Sequence, residues 1–169
     1  MELSFYIAAA VAVVATIRAV THLHVVHALL YLIVSFMAVA VVLYLLGAPF
    51  IAALEVIVYA GAIMVLFVFV VMMLNQGARQ VELERRWAAH GLWAGPSVLA
   101  AILLAEVLYL LANHSASVAS VPVGPHEVGL VLYGPYILAV ELGSLLLLPG
   151  IIGAVHLGRR AVKRTEHGI

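Results

Sequence analysis

The feature that most constrains this chain is a long apolar run interrupted by one charge. It reads Phe50-Ile-Ala-Ala-Leu-Glu55-Val-Ile-Val-Tyr59-Ala-Gly61-Ala-Ile-Met64-Val-Leu-Phe-Val-Phe-Val-Val-Met-Met-Leu74. As a helix rising about 1.5 Å per residue it would be about 37 Å long. A bilayer core of about 30 Å needs roughly 20 apolar residues, so the run predicts a membrane span with length to spare for tilt. The rest of the chain agrees: 66% of residues are hydrophobic, 9% are charged and the mean hydropathy is +1.21. An ordinary globular domain carries about 25% charged residues. The fold class is therefore all-α and integral to the membrane. A net charge of zero gives no case for nucleic acid as a partner. The absence of cysteine excludes disulfides, thiolate-held clusters and a cysteine nucleophile. Met1-Glu2-Leu3-Ser4 lacks the basic start of a signal peptide, so the first apolar run is expected to be a retained span.

Five spans are predicted, at about 3–20, 25–46, 50–74, 95–112 and 135–156, forming a single membrane domain over 1–169. Gly47-Ala48-Pro49 is a breaker between the second and third. The charged stretch 75–90 and a Ser-, Val-, Pro- and Gly-rich stretch at about 113–131 read as loops, and a short basic tail follows His156. No internal repeat is visible, which argues against an inverted-repeat transporter complete in one chain. With five spans, Arg18, Arg79, Arg85, Arg86, Arg159, Arg160, Lys163 and Arg164 all fall on one side, and these are the chain's 8 basic residues. The positive-inside rule then places the N-terminus in the periplasm and the C-terminus in the cytoplasm.

Within the spans stand three carboxylates, Glu55, Glu106 and Glu141. A charge at the bilayer centre costs at least about 2.5–3.5 kcal/mol, so such residues are usually enclosed by protein and often mark proton routes. Glu55 and Glu141 are the stronger candidates for a proton path, joined by Tyr59 at i+4 from Glu55. Glu106, set among leucines, is the weaker one. Ala60-Gly61-Ala62 strips side-chain bulk from one turn of the third span, which suits close helix packing and also a locally irregular, movable turn. His22, His24 and His27 have spacings that do not bring three imidazoles onto one helix face, so no metal site is expected. Pro149 inside the fifth span predicts a kink. No phosphate-binding glycine loop, dinucleotide fingerprint or Ser-His-Asp set is present, so no catalytic residue and no direct nucleotide binding are expected.

The run Leu54 to Asn75 resembles the third span of the subunit J, or chain 6, family of bacterial NADH:quinone oxidoreductase, respiratory complex I. His27-Ala-Leu-Leu-Tyr-Leu-Ile33 and Tyr133-Gly-Pro-Tyr-Ile-Leu-Ala-Val-Glu141-Leu are similar to that family's second and fifth spans. The resemblance covers the five spans and fades in the two long loops and the tail. It implies a non-catalytic subunit in the bacterial inner membrane, partnered by other membrane-arm subunits. Flavin, iron–sulfur clusters and quinone would belong to those partners, with no cofactor in this chain. It also implies a π-bulge at the gate residues Tyr59, Ala60, Gly61, Ala62, Ile63 and Met64, whose rearrangement would connect or break a water path for protons. Two other readings stand beside it: a subunit of a multisubunit sodium/proton antiporter, and a purely structural assembly subunit.

Overall fold

A computed structural model describes residues 2–22, 25–73, 94–112 and 122–166, with side chains described as far as 158. His24, the whole 75–90 stretch, the first part of the 113–131 loop and the end of the tail lie outside the described residues. The described residues form helices and turns and no strand. Among the described residues five helices are long and apolar enough to cross a membrane: Glu2–Thr21, Val25–Leu45, Pro49–Met73, Ala94–Ala112 and Ile137–Gly158. The chain divides into two units, Met1–Gly124 and Pro125–Ile169.

The first unit is built from α1 (Glu2–Thr21), α2 (Val25–Leu45), a third span in three parts, and α5 (Ala94–Ala112). The third span begins as α3 (Pro49–Leu54), becomes a π-helix (Glu55–Ile63) and ends as α4 (Met64–Met73). Helix α1 buries Ser4, Ala8, Val11 and Ala15, which recur every three or four residues and so line one face. Small residues there let α2 come close, and Val34, Ser35, Ala38 and Val41 are its buried answer. Leu103 of α5 closes the core on Val11, Ala15, Val34 and Ala38.

Polar side chains tie α1 to α2 in the middle of this apolar contact. Thr16 Oγ1 donates to the Ala12 carbonyl (2.8 Å), and Ser35 Oγ lies 2.7 Å from Thr16 Oγ1 and 3.3 Å from the same carbonyl. Without water to compete, such interhelical bonds contribute about 0.6 kcal/mol on average and up to about 1.7. At the other end of the core, Tyr31 is buried and its hydroxyl sits where a Cβ on Gly95 would have to be. Glycine at the start of α5 thus makes room for a tyrosine on α2, and any Cβ there would force the Tyr31 hydroxyl to move.

The turn from α2 into the third span is set by three residues. Gly47 has φ 86°, a left-handed conformation that costs glycine nothing. Its N–H donates to the Tyr44 carbonyl (3.0 Å) and the Ala48 N–H to that of Leu43 (3.1 Å), which is a Schellman ending. Pro49 then occupies the first turn of α3, where its missing N–H costs no bond. The Gly47 carbonyl in turn accepts the Val123 N–H (2.9 Å).

The second unit contains α6 (Pro125–Leu132), a turn over residues 133–136 and α7 (Ile137–Glu166). Two expectations need correction here. The stretch expected as loop through residue 131 contains helix α6, and His126 lies on it. Pro125 at its start and Glu127 in its first turn are the local reasons, one fitting the helix geometry and the other its dipole. The span expected to stop at His156 continues as helix to Glu166, passing through Pro149. Gly134 has its own steric reason: a Cβ there would come within 2.7 Å of the Leu130 carbonyl oxygen.

Candidate functional site

The third span carries Glu55 and Tyr59 and is the span whose helix geometry is irregular. Nine residues, Glu55–Ile63, are wound with i→i+5 bonds, and the Met64 N–H closes the segment on the Tyr59 carbonyl. Of the expected gate residues, Tyr59, Ala60, Gly61, Ala62 and Ile63 lie on the π-helix, and Met64 is the first residue of α4. The segment begins at Glu55, four residues before the start expected from the small-residue turn.

Why this sequence tolerates the wider winding can be read locally. The Ala60-Gly61-Ala62 turn has little side-chain volume to repack. At Gly61 a Cβ would stand 3.1 Å from the Val56 carbonyl oxygen, five residues back, a tight contact against backbone. Helical bonds change partner here while the chain stays helical on both sides, so each N–H still finds a carbonyl, as the membrane demands. π-Helices are rare, appear mostly as single-turn bulges, and frequently stand at functional sites.

Side chains of the segment face two ways. Glu55 and Val56 are half-buried, whereas Tyr59 is 47% exposed. The Tyr59 ring nevertheless has a partner in Phe36 of α2, with centroids 5.5 Å apart and planes at 51°. No residue of the π-helix is fully buried, but Met64, directly after it, is 1% exposed. Met64 is therefore packed in the core in this state, while the turn before it stays open, so a rotation of α4 has to withdraw it. Phe36 is a contributor that sequence reading missed. Its signal was a position on the buried side of α2, one residue after Ser35.

The other candidates are placed apart. Glu106 lies on α5 in the helical core, 8% exposed. Both of its carboxyl oxygens are buried, and neither has a hydrogen-bond partner among the described residues. Glu141 belongs to the second unit, near the start of α7, where Ser144 Oγ donates to its backbone carbonyl (2.8 Å). The structure thus brings Glu55 and Tyr59 together on one segment and leaves Glu106 and Glu141 on other helices. His22 and His27 stack across the α1–α2 junction with centroids 5.4 Å apart, and His22 lies 5.9 Å from the Tyr31 ring. Among the described residues no group of three metal-ligating side chains forms.

An apolar groove opens beside the site, between α2, the third span and α5. Its volume is about 410 Å³, and Met37, Tyr44, Ala52, Val56, Val107 and Leu111 are among its lining. The groove reaches the π-helix at Val56, so the segment borders open apolar space on one side and α2 on the other.

Comparison with known proteins gives this arrangement a family. Residues 15–157 match the family of NADH-ubiquinone/plastoquinone oxidoreductase chain 6. The NADH-quinone oxidoreductase subunit J of Pseudomonas aeruginosa is 55% identical over 166 residues, covering 97% of this chain and 100% of that protein. The subunit J of Escherichia coli K12 is 52% identical over 160 residues, covering 94% of this chain and 87% of that protein. That of Buchnera aphidicola from Schizaphis graminum is 40% identical over 160 residues, covering 94% and 98%. With its whole third span, π-helix included, inside the matched region, the chain belongs to the NADH-ubiquinone/plastoquinone oxidoreductase chain 6 family, the family of subunit J.

Proposed function

We propose that this chain is a non-catalytic subunit of a proton-pumping NADH-quinone oxidoreductase in the bacterial inner membrane, where it gates a water path for protons at its third span. The observation that carries the reading is the π-helix Glu55–Ile63, placed inside an otherwise α-helical span and holding Glu55 and Tyr59. Each backbone bond of a π-helix reaches one residue further along the chain than a bond of an α-helix. Returning it to i→i+4 bonding moves everything beyond it by about one residue, a rotation of about 100° and a shift of about 1.5 Å. Helix α4 is then the moving part. Its side chains would exchange places along the path, while α3 stays fixed by the Gly47 turn and Pro49.

The chemistry of the gate follows from the residue types. Glu55 and Tyr59 each exchange a proton or hold a water molecule, and the bulky apolar residues of α4 block water wherever they face the path. A rotation that swaps one surface for the other connects or breaks the path without any covalent step. Polar groups in this position need shielding from lipid, which assigns the open side of the π-helix to other membrane subunits. Flavin, iron–sulfur clusters and quinone belong to the partner subunits in this reading. The spans form one membrane domain, with the N-terminus in the periplasm and the basic C-terminus in the cytoplasm. The names borne by the similar proteins favour the oxidoreductase over an antiporter.

The test is Gly61→Leu in the assembled complex. Proton pumping and coupled quinone reduction should fall, while NADH oxidation by an artificial acceptor is unchanged. Unaltered coupled activity in a fully assembled variant would instead support a purely structural subunit.

A further inference from the structure

Glu106 is the residue that the gate leaves unused. It lies on α5 between Leu103, which packs into the core of α1 and α2, and Leu110, which faces the apolar groove. The three positions follow one another at i, i+3 and i+7, so Glu106 continues the inward face of the helix. Its side chain is more than nine-tenths buried, and neither carboxyl oxygen has a donor among the described residues.

Groups facing it from the neighbouring helices supply no counter-charge. The buried face of α1 is Ser4, Ala8, Val11 and Ala15, of which none titrates. On α2 the inward titratable groups are Tyr31 and, one turn earlier, His27, whose ring nitrogens are buried and whose ring stacks on His22, on the Tyr31 side of α2. Tyr31 packs against Gly95, at the far end of α5, about 16 Å along the helix axis from Glu106. Glu2 and Tyr6 on α1 and Tyr44 on α2 are exposed, and Arg18 lies beside Gly95 and Tyr31, also at the far end. A carboxylate in this place would have no cation and no donor, a state that buried groups avoid by neutralisation.

We propose that Glu106 is a proton-binding site of this chain, separate from the gate, holding a neutral carboxylic acid between α1, α2 and α5. The ligand is a proton. Release requires water: the carboxyl O–H bond breaks, the proton passes to a water oxygen and a carboxylate remains. In the packed arrangement neither oxygen is open to solvent, so the proton stays until α5 separates from α1 and α2 far enough to admit water. Leu103 and its partners in the core are the contact that must open.

The experiment uses the assembled complex in lipid at neutral pH and takes the infrared difference between wild type and Glu106→Gln. The expected difference is the loss of one carboxylic-acid C=O band, whose shift in deuterium oxide is slow because exchange waits on the opening of α5. Loss of a carboxylate stretching pair instead would overturn the proposal, because it would show Glu106 ionised. Glu106→Met serves as a second variant, similar in length and with no polar atom to bury, and it should assemble and lose the same band. If neither variant assembled, the proposal would also fall, since an acid without partners has no polar contact for Gln or Met to remove. Gly61→Leu should leave the band in place, so failure of the gate and failure of this site are read separately.

Discussion

Two carboxylates in neighbouring helices of the first unit live in opposite surroundings. Glu55 opens a π-helix that touches α2 on one side and is otherwise uncovered by the described residues, with Tyr59 47% exposed beside it. Glu106 is sealed in a regular α-helix at 8% exposure, between helices joined by small residues and a hydroxyl pair. The difference separates two jobs that a membrane carboxylate can have. One stands where backbone geometry is changeable and side chains are reachable, as a gate needs. The other stands where nothing moves without unpacking the core. Local stability follows packing, and elements that switch are drawn from the less packed end. Within the first unit, the π-helix is a segment with no fully buried residue.

Substitutions should therefore divide: those in the open segment change coupling per assembled complex, and those that disturb packing in the sealed core change the stability of the complex. The largest effect is expected from Gly61→Leu, which should lower coupled quinone reduction by about tenfold or more, or about 1.4 kcal/mol of barrier. Gly61→Ala should fall between, because its Cβ meets the Val56 carbonyl at 3.1 Å and needs only a small backbone shift. Equal activities for Gly, Ala and Leu at this position, measured by proton uptake into vesicles, would erase the distinction between the two regions.

Next in size is Gly95→Ala in the core. The Tyr31 hydroxyl must move to admit the methyl group, and overpacking of this kind typically costs about 1–3 kcal/mol. Thermal unfolding of the assembled complex should occur at lower temperature, with coupling per assembled complex unchanged. A coupling defect without a stability defect would assign Tyr31 and Gly95 to the path instead.

Phe36→Leu probes the contact between the two regions. An aromatic pair is worth about 0.5–1.5 kcal/mol beyond its buried area, so losing the ring should free Tyr59 and shift the balance between π and α states. Coupled activity should change several-fold with little loss of assembly. The smallest effect is expected from Ser35→Ala, which removes the hydroxyl pair with Thr16 and should cost about 0.6 kcal/mol in stability.

What was legible in the sequence was what hydropathy and charge control directly. Five apolar runs became five long helices, because in lipid a span has to satisfy its own backbone bonds and helix is the available answer. Gly47-Ala48-Pro49 became a turn because glycine takes the left-handed position and proline starts the next helix. Helix α6 was hidden because eight residues carry no long apolar signal, although Pro125 and Glu127 mark its start. The π-helix was suggested by its small residues, but not its start at Glu55, since i→i+5 bonding leaves no period in side-chain chemistry. Burial of Glu106 was not legible either. Leucines on all sides look alike in sequence, and the packing of α5 against α1 and α2 decides which of them face the core.

The central claim is that the third span changes bonding at this segment and turns α4. The most direct measurement is the hydrogen-bond partner of the Met64 N–H in structures of the assembled complex at rest and during turnover. The account predicts one state with the bond to the Tyr59 carbonyl, as here, and another with the bond to the Ala60 carbonyl and α4 turned by about 100°. The same partner in every state, with α4 in one orientation throughout, would contradict it.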